Sequence, residues 1–356
     1  GNYNYSATGA GVNVYIIDSG IRHTHTEFGG RVVPAYSAIA DGYGADGCYW
    51  HGTHVAGIVG GTTYGVAKSA TLYSVRVADC FGGTTASNII AGIDWVTANR
   101  RAPAVASLAV WTTASSAVTT AVQNSISAGV AYVVAAGNSA ADACGYSPAS
   151  VPEALTVAAI GGSDLQAAYS NYGGCVDLYA PGTNIYSAVN TSDTAIDLYT
   201  GTSQADAFVA GAAALYLENN PSATPAAVTQ AILGGATVGV VAGATGGTPN
   251  RLLRVGGGSD TPPPPPAGNA APVASFTASC QKASCTFDAS SSKDDVGIAS
   301  YAWSFGDGGS LTSSTPQASH TYSAKGNYSV TVRLVVTDGG GLTSTTQKSI
   351  TIRNKR

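Results

Sequence analysis

The 356-residue chain contains no methionine and little charge, with Asp, Glu, Lys and Arg making up only 10% of it, against roughly 25% in ordinary soluble domains. A chain without methionine does not begin at its own translation start, so any signal peptide or propeptide is expected to be missing from it. Low charge beside 44% hydrophobic residues excludes the composition of a disordered segment. There is no basic run, and the net charge of −4 offers nothing for nucleic acid or an acidic membrane surface to hold. No apolar stretch reaches the about 18 residues of a membrane-spanning helix. No cysteine pair has the CxxC spacing of a zinc site. These absences leave a soluble globular chain, expected to be a monomer and long enough for two domains.

Six cysteines are present, falling in three sequential pairs: Cys48 and Cys80, Cys144 and Cys175, Cys280 and Cys285. Several pairings are open, and nearest-neighbour bridging is the simplest. A Cys48–Cys80 bridge would close a loop of 32 residues, contributing about 3–4 kcal/mol in the chain-entropy model. An even count of this kind suits a secreted, extracellular protein.

The sharpest break is GGGSDTPPPPPAGNAAP, residues 256–272. Its glycines are flexible and its consecutive prolines favour an extended spacer. Domains are therefore expected at 1–256 and 272–356, with a Gly/Pro-rich linker at 257–271. Charge separates too, with a net of −6 over residues 1–256 and +2 over 257–356. The first part alternates short apolar strands (Val12–Ile17, Leu72–Val77, Val105–Leu108, Ala131–Ala136, Leu155–Ala159) with helical stretches at Ser87–Asn99 and Ala114–Ala128. That pattern predicts an α/β fold with a largely parallel sheet covered on both faces. In the second part, Tyr328, Val330, Val332, Leu334 and Val336 alternate with Ser329, Thr331 and Arg333. Short strands between Gly, Asp and Ser turns predict a β-sandwich.

Ligands of parallel sheets bind at the carboxyl ends of the strands, and polar residues stand there in four segments. Asp18 follows the first strand in VYIIDSGI, His51 and His54 open a small-residue helix in HGTHVAGIVGG, Asn138 follows AYVVAAGN, and Ser203 lies in TGTSQADAFVAG. Singly, the acid reads as a turn residue, one histidine as a packed core residue and the serine as a helix cap. Together they form the strand-end set an α/β active site needs.

IIDSGI, HGTHVAGIVGG, AAGNS and GTS, in that order, resemble the signature segments of the subtilases, in particular the proteinase K-like branch. The intervals of 33 residues from Asp18 to His51 and 152 from His51 to Ser203 agree, as does the chain order Asp, His, Ser known from subtilisin. The resemblance runs from about Val12 to Leu253. It implies a serine endopeptidase with Ser203 as nucleophile, His51 as general base and acid, Asp18 as its orienting partner, and Asn138 with the Ser203 N–H as oxyanion donors. It further implies that substrate lies extended between Gly82–Ala86, including Gly83 and Thr84, and Ser107–Leu108–Ala109. Ala135, Ala136 and Gly137 would line a primary pocket roomy enough for aromatic or aliphatic side chains. It implies structural calcium held by the carbonyls of Pro152 and Ala154 and the carboxylate of Asp177, and it supports the first two cysteine bridges. Asp41 and Asp46, in a Gly-rich loop, are expected to be a solvated turn.

Three departures stand out. Gln204-Ala205-Asp206-Ala207-Phe208 replaces the family's Met-Ala-Thr-Pro-His after the nucleophile, bringing a carboxylate close to the centre. Ser107-Leu108-Ala109-Val110-Trp111 replaces Ser-Leu-Gly-Gly-Gly, which narrows the cleft. The chain also starts about twenty residues late relative to the family's mature domain, which is expected to lower stability. The alternative to a working peptidase is therefore a subtilase scaffold, silenced at the start of the serine helix, that acts as a binding protein. In the second part, YAWSFGDG followed by SHTY and TVRLVVTDGGG resembles a PKD domain, an immunoglobulin-like β-sandwich. That resemblance implies a spacer, or a module docking onto an insoluble polymer such as collagen or chitin.

Overall fold

In the computed structural model, residues 6–255, 271–294, 297–323, 325–338 and 342–354 are described. The expected linker at 257–271 lies outside them except for its last residue. The chain divides into two units, 1–262 and 263–356.

The first unit is built on Val/Ile/Ala-rich strands: β1 (Asn13–Asp18), β2 (Val32–Ser37), β3 (Thr71–Arg76), β4 (Ala104–Leu108), β5 (Ala131–Ala135), β6 (Leu155–Ile160) and β7 (Leu178–Pro181). A hairpin of β8 (Ile185–Ala188) and β9 (Ile196–Tyr199) follows, then the short β10 (Thr237–Val238) and β11 (Arg251–Leu252). The sheet order is β10-β11-β7-β6-β5-β4-β1-β3-β2, and every pair is parallel except β10–β11. Successive side chains of a strand point to opposite faces. Val14 and Ile16 therefore join one core with helices α1 (Trp50–Gly60) and α4 (Thr202–Asn219). Tyr15 and Ile17 join the other with α2 (Ala86–Asn99) and α3 (Ser116–Ser127). The result is the expected three-layer α/β domain, with a fifth helix, α5 (Pro225–Gly235), after α4.

Because the strands are parallel, the ends of β1, β4 and β5 share one edge of the sheet. There Asp18, Ala109 and Asn138 emerge, and α4 begins beside them. The α4 helix is buried almost all round. Its Ala205, Ala207, Ala210, Ala213 and Ala214 have no exposed surface, and only small side chains let a helix run this close to a sheet.

The second unit packs a three-stranded antiparallel sheet (Thr277–Gln281, Ser284–Asp288, Gln317–Thr321) against a four-stranded one (Ser310–Ser313, Ile298–Ser304, Gly326–Asp338, Thr343–Asn354). Val330, Val332, Leu334 and Val336 point into the core, and Ser329, Thr331 and Arg333 face solvent, as the alternation requires. Trp303 is buried against Phe276 and Phe287, with ring centroids 5.2 and 5.6 Å away. The Asp307 turn is braced, with Oδ1 accepting from the Gly309 N–H (3.0 Å) and Oδ2 lying 2.8 Å from His320 Nε2. All six cysteines are bridged as nearest neighbours.

Candidate active site

Asp18 ends β1 with no exposed surface. Its two oxygens lie 2.8 and 2.9 Å from His51 Nδ1, and Oδ1 also accepts from the Ser19 N–H at 2.6 Å. A carboxylate only accepts, so Nδ1 carries the proton and Nε2 of the neutral ring is left as a base. Burial pulls the His51 pKa down, but the Asp18 charge and hydrogen bond outweigh it and leave the ring above the usual histidine value. Gly52 makes this approach possible, because a Cβ there would stand 2.4 Å from the Gly20 carbonyl oxygen. Trp50, just before the base, stacks on Tyr199 of the hairpin at 3.5 Å and 7°. His54, one turn further on, is buried. Its Nε2 faces the carbonyls of Ile185 and Asp197 (3.1 and 3.3 Å) and its Nδ1 lies 3.3 Å from Gln204 Nε2. Burial lowers its pKa to about 4, so it is a neutral packing residue.

Ser203 is the second residue of α4 and 6% exposed. Its Oγ donates to the Ala109 carbonyl at 3.2 Å. At this position in a helix the backbone N–H has no intrahelical acceptor. Asn138 is fixed by its oxygen, which accepts from Thr202 N–H (2.8 Å) and Thr202 Oγ1 (2.9 Å), while Thr202 Oγ1 accepts from Gly137 N–H at 3.1 Å. That leaves the Asn138 NH₂ as a donor on the cleft side. Gly137 has φ +103°, and a Cβ there would meet Asn171 Nδ2 at 2.4 Å. Asn171 shapes this loop by donating to Ala136 O and accepting from the N–H groups of Ser139 and Ala141.

Asp206, one turn after Ser203, is fully buried. Its Oδ2 lies 2.5 Å from Ser107 Oγ, and its Oδ1 has no partner.

Asp18, His51, Ser203, Asn138, Gly82, Thr84, Ala109 and Ala135 line one cleft of about 380 Å³, together with Tyr49, Phe81, Val110, Trp111 and Thr202. Gly83 is exposed, and its N–H donates to Asp79 Oδ1 at 2.8 Å. Ser107 and Leu108 are wholly buried, and Ala136 packs in a small cluster with Ala143 and Ala158. Of the expected primary-pocket residues, Ala135 lines the cleft, while Ala136 and Gly137 are buried. Val110 and Trp111 supply side chains to the opposite wall, and Trp111 is 44% exposed and set edge-on to Tyr146. Sequence reasoning missed Tyr49, Phe81, Thr202 and Asn171. The only sequence signal for the first two was their position beside Cys48–His51 and Cys80–Gly82.

Asp177 accepts from Thr156 N–H at 2.8 Å. Burial pushes its pKa up to about 6, with the Thr156 hydrogen bond and Arg251 pulling the other way. A carboxylate oxygen desolvated in this way is the kind of donor calcium takes. Asp41 instead pairs with the buried Arg76 guanidinium (2.7 and 2.5 Å), which lowers its pKa to about 2. Cys48 and Cys80 come close to Asp41, but their sulfurs are bonded to each other, so this group is no metal site.

The profile of the subtilase family matches residues 9–258, and that of the PKD domain matches residues 269–353. An extracellular serine proteinase of Thermus sp. (strain Rt41A) is 54% identical over 253 residues, covering 71% of this chain and 62% of its own. Proteinase T of Parengyodontium album is 46% identical over 221 residues, covering 60% and 74%. The crystal structure of a cold-adapted subtilisin-like serine proteinase superposes with TM-score 0.70 at 43% identity, covering 72% of this chain and 93% of that one. The chain spans about 62% of the length of the Thermus relative and 47% of an alkaline serine exoprotease A from Vibrio alginolyticus. With a profile matched over most of its length and relatives at this identity, the chain belongs to the subtilase family and carries a PKD domain behind its subtilisin-like α/β domain.

Proposed function

We propose that the protein is a secreted serine endopeptidase, hydrolysing peptide bonds through an acyl-enzyme on Ser203. The observation that carries this reading is the shared cleft, with Ser203 at a helix start, the Asp18–His51 pair across from it and the Asn138 amide beside it. His51 takes the serine proton during attack and returns it to the leaving amine, and Asp18 steadies the ring as it becomes charged. The oxyanion is received by the Asn138 NH₂ and the Ser203 N–H. Since Oγ rests on the Ala109 carbonyl, attack requires a rotamer change toward His51 Nε2. Stoichiometric labelling of Ser203 by a fluorophosphonate, located by mass spectrometry, tests this reading. A folded protein that stays unlabelled at every pH sinks it. That same resting contact, with Asp206 behind it, favours the second reading, a silenced scaffold that binds peptides.

Substrate lies along Gly82–Thr84 and the Ala109 end of the 107–109 segment, with apolar side chains directed at Ala135. Trp111 lines the same cleft. Trp111→Gly is therefore expected to lower KM about tenfold for peptides with a bulky residue before the scissile bond, with kcat little changed. Steady-state kinetics on paired bulky and small substrates check this, and an equal change for both would rule out a steric role.

The Asp177 carboxylate, with the carbonyls of Pro152 and Ala154, would hold calcium, which supplies the charge that burial denies this site. Because the folded pKa of Asp177 is raised to about 6, its contribution to stability is full below the usual carboxylate range and fades as pH rises through about 6. Calcium-free protein should thus lose thermal stability over that interval. Added calcium should restore it, and Asp177→Asn should remove most of both effects. Melting curves with and without chelator decide, and an unchanged calcium response in the variant assigns the ion elsewhere.

The Thermus relative named as extracellular, together with three disulfides, supports a secreted protein. We place the catalytic domain at 1–256 and the PKD domain at 272–356, acting as a spacer or docking onto collagen or chitin. Retention of the inhibited full chain on either polymer supports docking, and passage through both leaves the spacer.

A further inference from the structure

We propose that Asp206 works as an uncharged acid, a positioning residue that donates to Ser107 Oγ behind the nucleophile, and that loss of its proton sets an alkaline ceiling on hydrolysis. The inference rests on the peptidase reading for its second half only.

Hydrogen-bond accounting carries the first half. Asp206 has no exposed surface, its carboxyl meets one partner, Ser107 Oγ at 2.5 Å, and Oδ1 meets none. Buried charges are ordinarily paired or fully hydrogen-bonded. Among the described residues no Lys, Arg or His forms an ion pair with Asp206. The titratable groups near the start of α4 are Asp18 on β1 and His51 and His54 on α1, and β4 offers the Ser107 hydroxyl alone. Asp18 is a like charge, and His54 is neutral with both ring nitrogens engaged. A protonated Asp206 resolves the account, because Oδ2–H donates to Ser107 Oγ and Oδ1 is left as a weak carbonyl acceptor. Burial pushes its pKa well up, the Ser107 bond only partly offsets this, and Asp18 adds to the rise.

The consequence reaches the nucleophile along β4. Ser107 lies two residues before Ala109, whose carbonyl holds Ser203 Oγ. Fastening Ser107 to α4 fixes the strand end that receives the serine. When Asp206 loses its proton, Ser107 must reverse its bond, and a second negative charge arrives beside Asp18. That charge opposes the oxyanion forming at Ser203 and Asn138 and holds His51 protonated to higher pH.

The test compares wild type, Asp206→Asn and Asp206→Thr as full chains. Asparagine keeps a donor toward Ser107 and cannot ionise, and threonine is the residue the family carries here. The wild-type infrared spectrum at neutral pH should show a protonated-carboxyl stretch that is missing from Asp206→Asn. Its absence from the wild type overturns the neutral acid whatever the activity. Fluorophosphonate inactivation of the wild type should fall about tenfold on the alkaline side, while both variants stay level. Parallel profiles overturn the ceiling. A wild type that shows the stretch but never reacts overturns the peptidase reading and the ceiling with it, while upholding the neutral acid. Asp206→Thr serves if the asparagine variant does not fold.

Discussion

Replacing Ser203 by alanine is expected to lower kcat for peptide hydrolysis about 10⁶-fold while leaving thermal unfolding nearly unchanged. The scale is that of subtilisin itself, in which loss of the serine or the histidine alone costs about 2 × 10⁶ in kcat. Stability should hold because the Ser203 side chain makes a single hydrogen bond, to Ala109 O at 3.2 Å, and such a bond contributes about 0.5–1.5 kcal/mol. Its removal also strands little, since a carbonyl has a second lone pair and lies at the cleft. Kinetics and calorimetry on the same preparation are the check. Hydrolysis surviving within tenfold of wild type would mean that the nucleophile is another residue.

Asn138→Ala should lower kcat by about 10²–10³ with KM almost unmoved, the loss subtilisin shows on removal of the equivalent donor. The geometry explains why one amide matters this much. Two donors from Thr202 clamp its oxygen, so its NH₂ is already turned to where charge develops and spends nothing on reorientation. The same substitution uncovers the Thr202 N–H at the start of α4. A cap-like loss of about 1 kcal/mol in stability should accompany the kinetic one. If KM rises and kcat does not fall, Asn138 binds the ground state, and the oxyanion role fails.

The parallel sheet was legible because β1, β3, β4, β5 and β6 are mostly apolar runs with few polar interruptions (Ser74 and Arg76 in β3, Ser107 in β4), as strands buried on both faces tend to be. Strand β2 was not, because Pro34 interrupts VVPAYS. The fold places it at the end of the sheet, where a missing N–H is tolerated and the ladder shifts register just after the proline. The β8–β9 strands, IYSA and IDLY, are four residues each, too short to carry a periodic signal. Motif order was enough to bring Asp18, His51, Asn138 and Ser203 to one cleft. It could not separate Ala135, which reaches the cleft, from Ala136 and Gly137, because a change of backbone direction at φ +103° decides that. Asp206 was readable as a carboxylate near the centre. Its partner was not, since Ser107 lies 99 residues away and meets it only when β4 packs on α4.

The bridge between Cys48 and Cys80 lies immediately ahead of two different cleft walls, Tyr49–His51 and Phe81–Thr84. His51 therefore lies inside the covalent loop that this bridge closes and Phe81–Thr84 follow directly on it, while the neighbouring strands are joined by their own backbone ladders. Cutting that ring loosens the tools and spares the workbench: thiols would stop turnover well before they melted the sheet. Loss of turnover on reduction of Cys48–Cys80, ahead of any change in thermal unfolding, would tie competence to an oxidising environment at one bond.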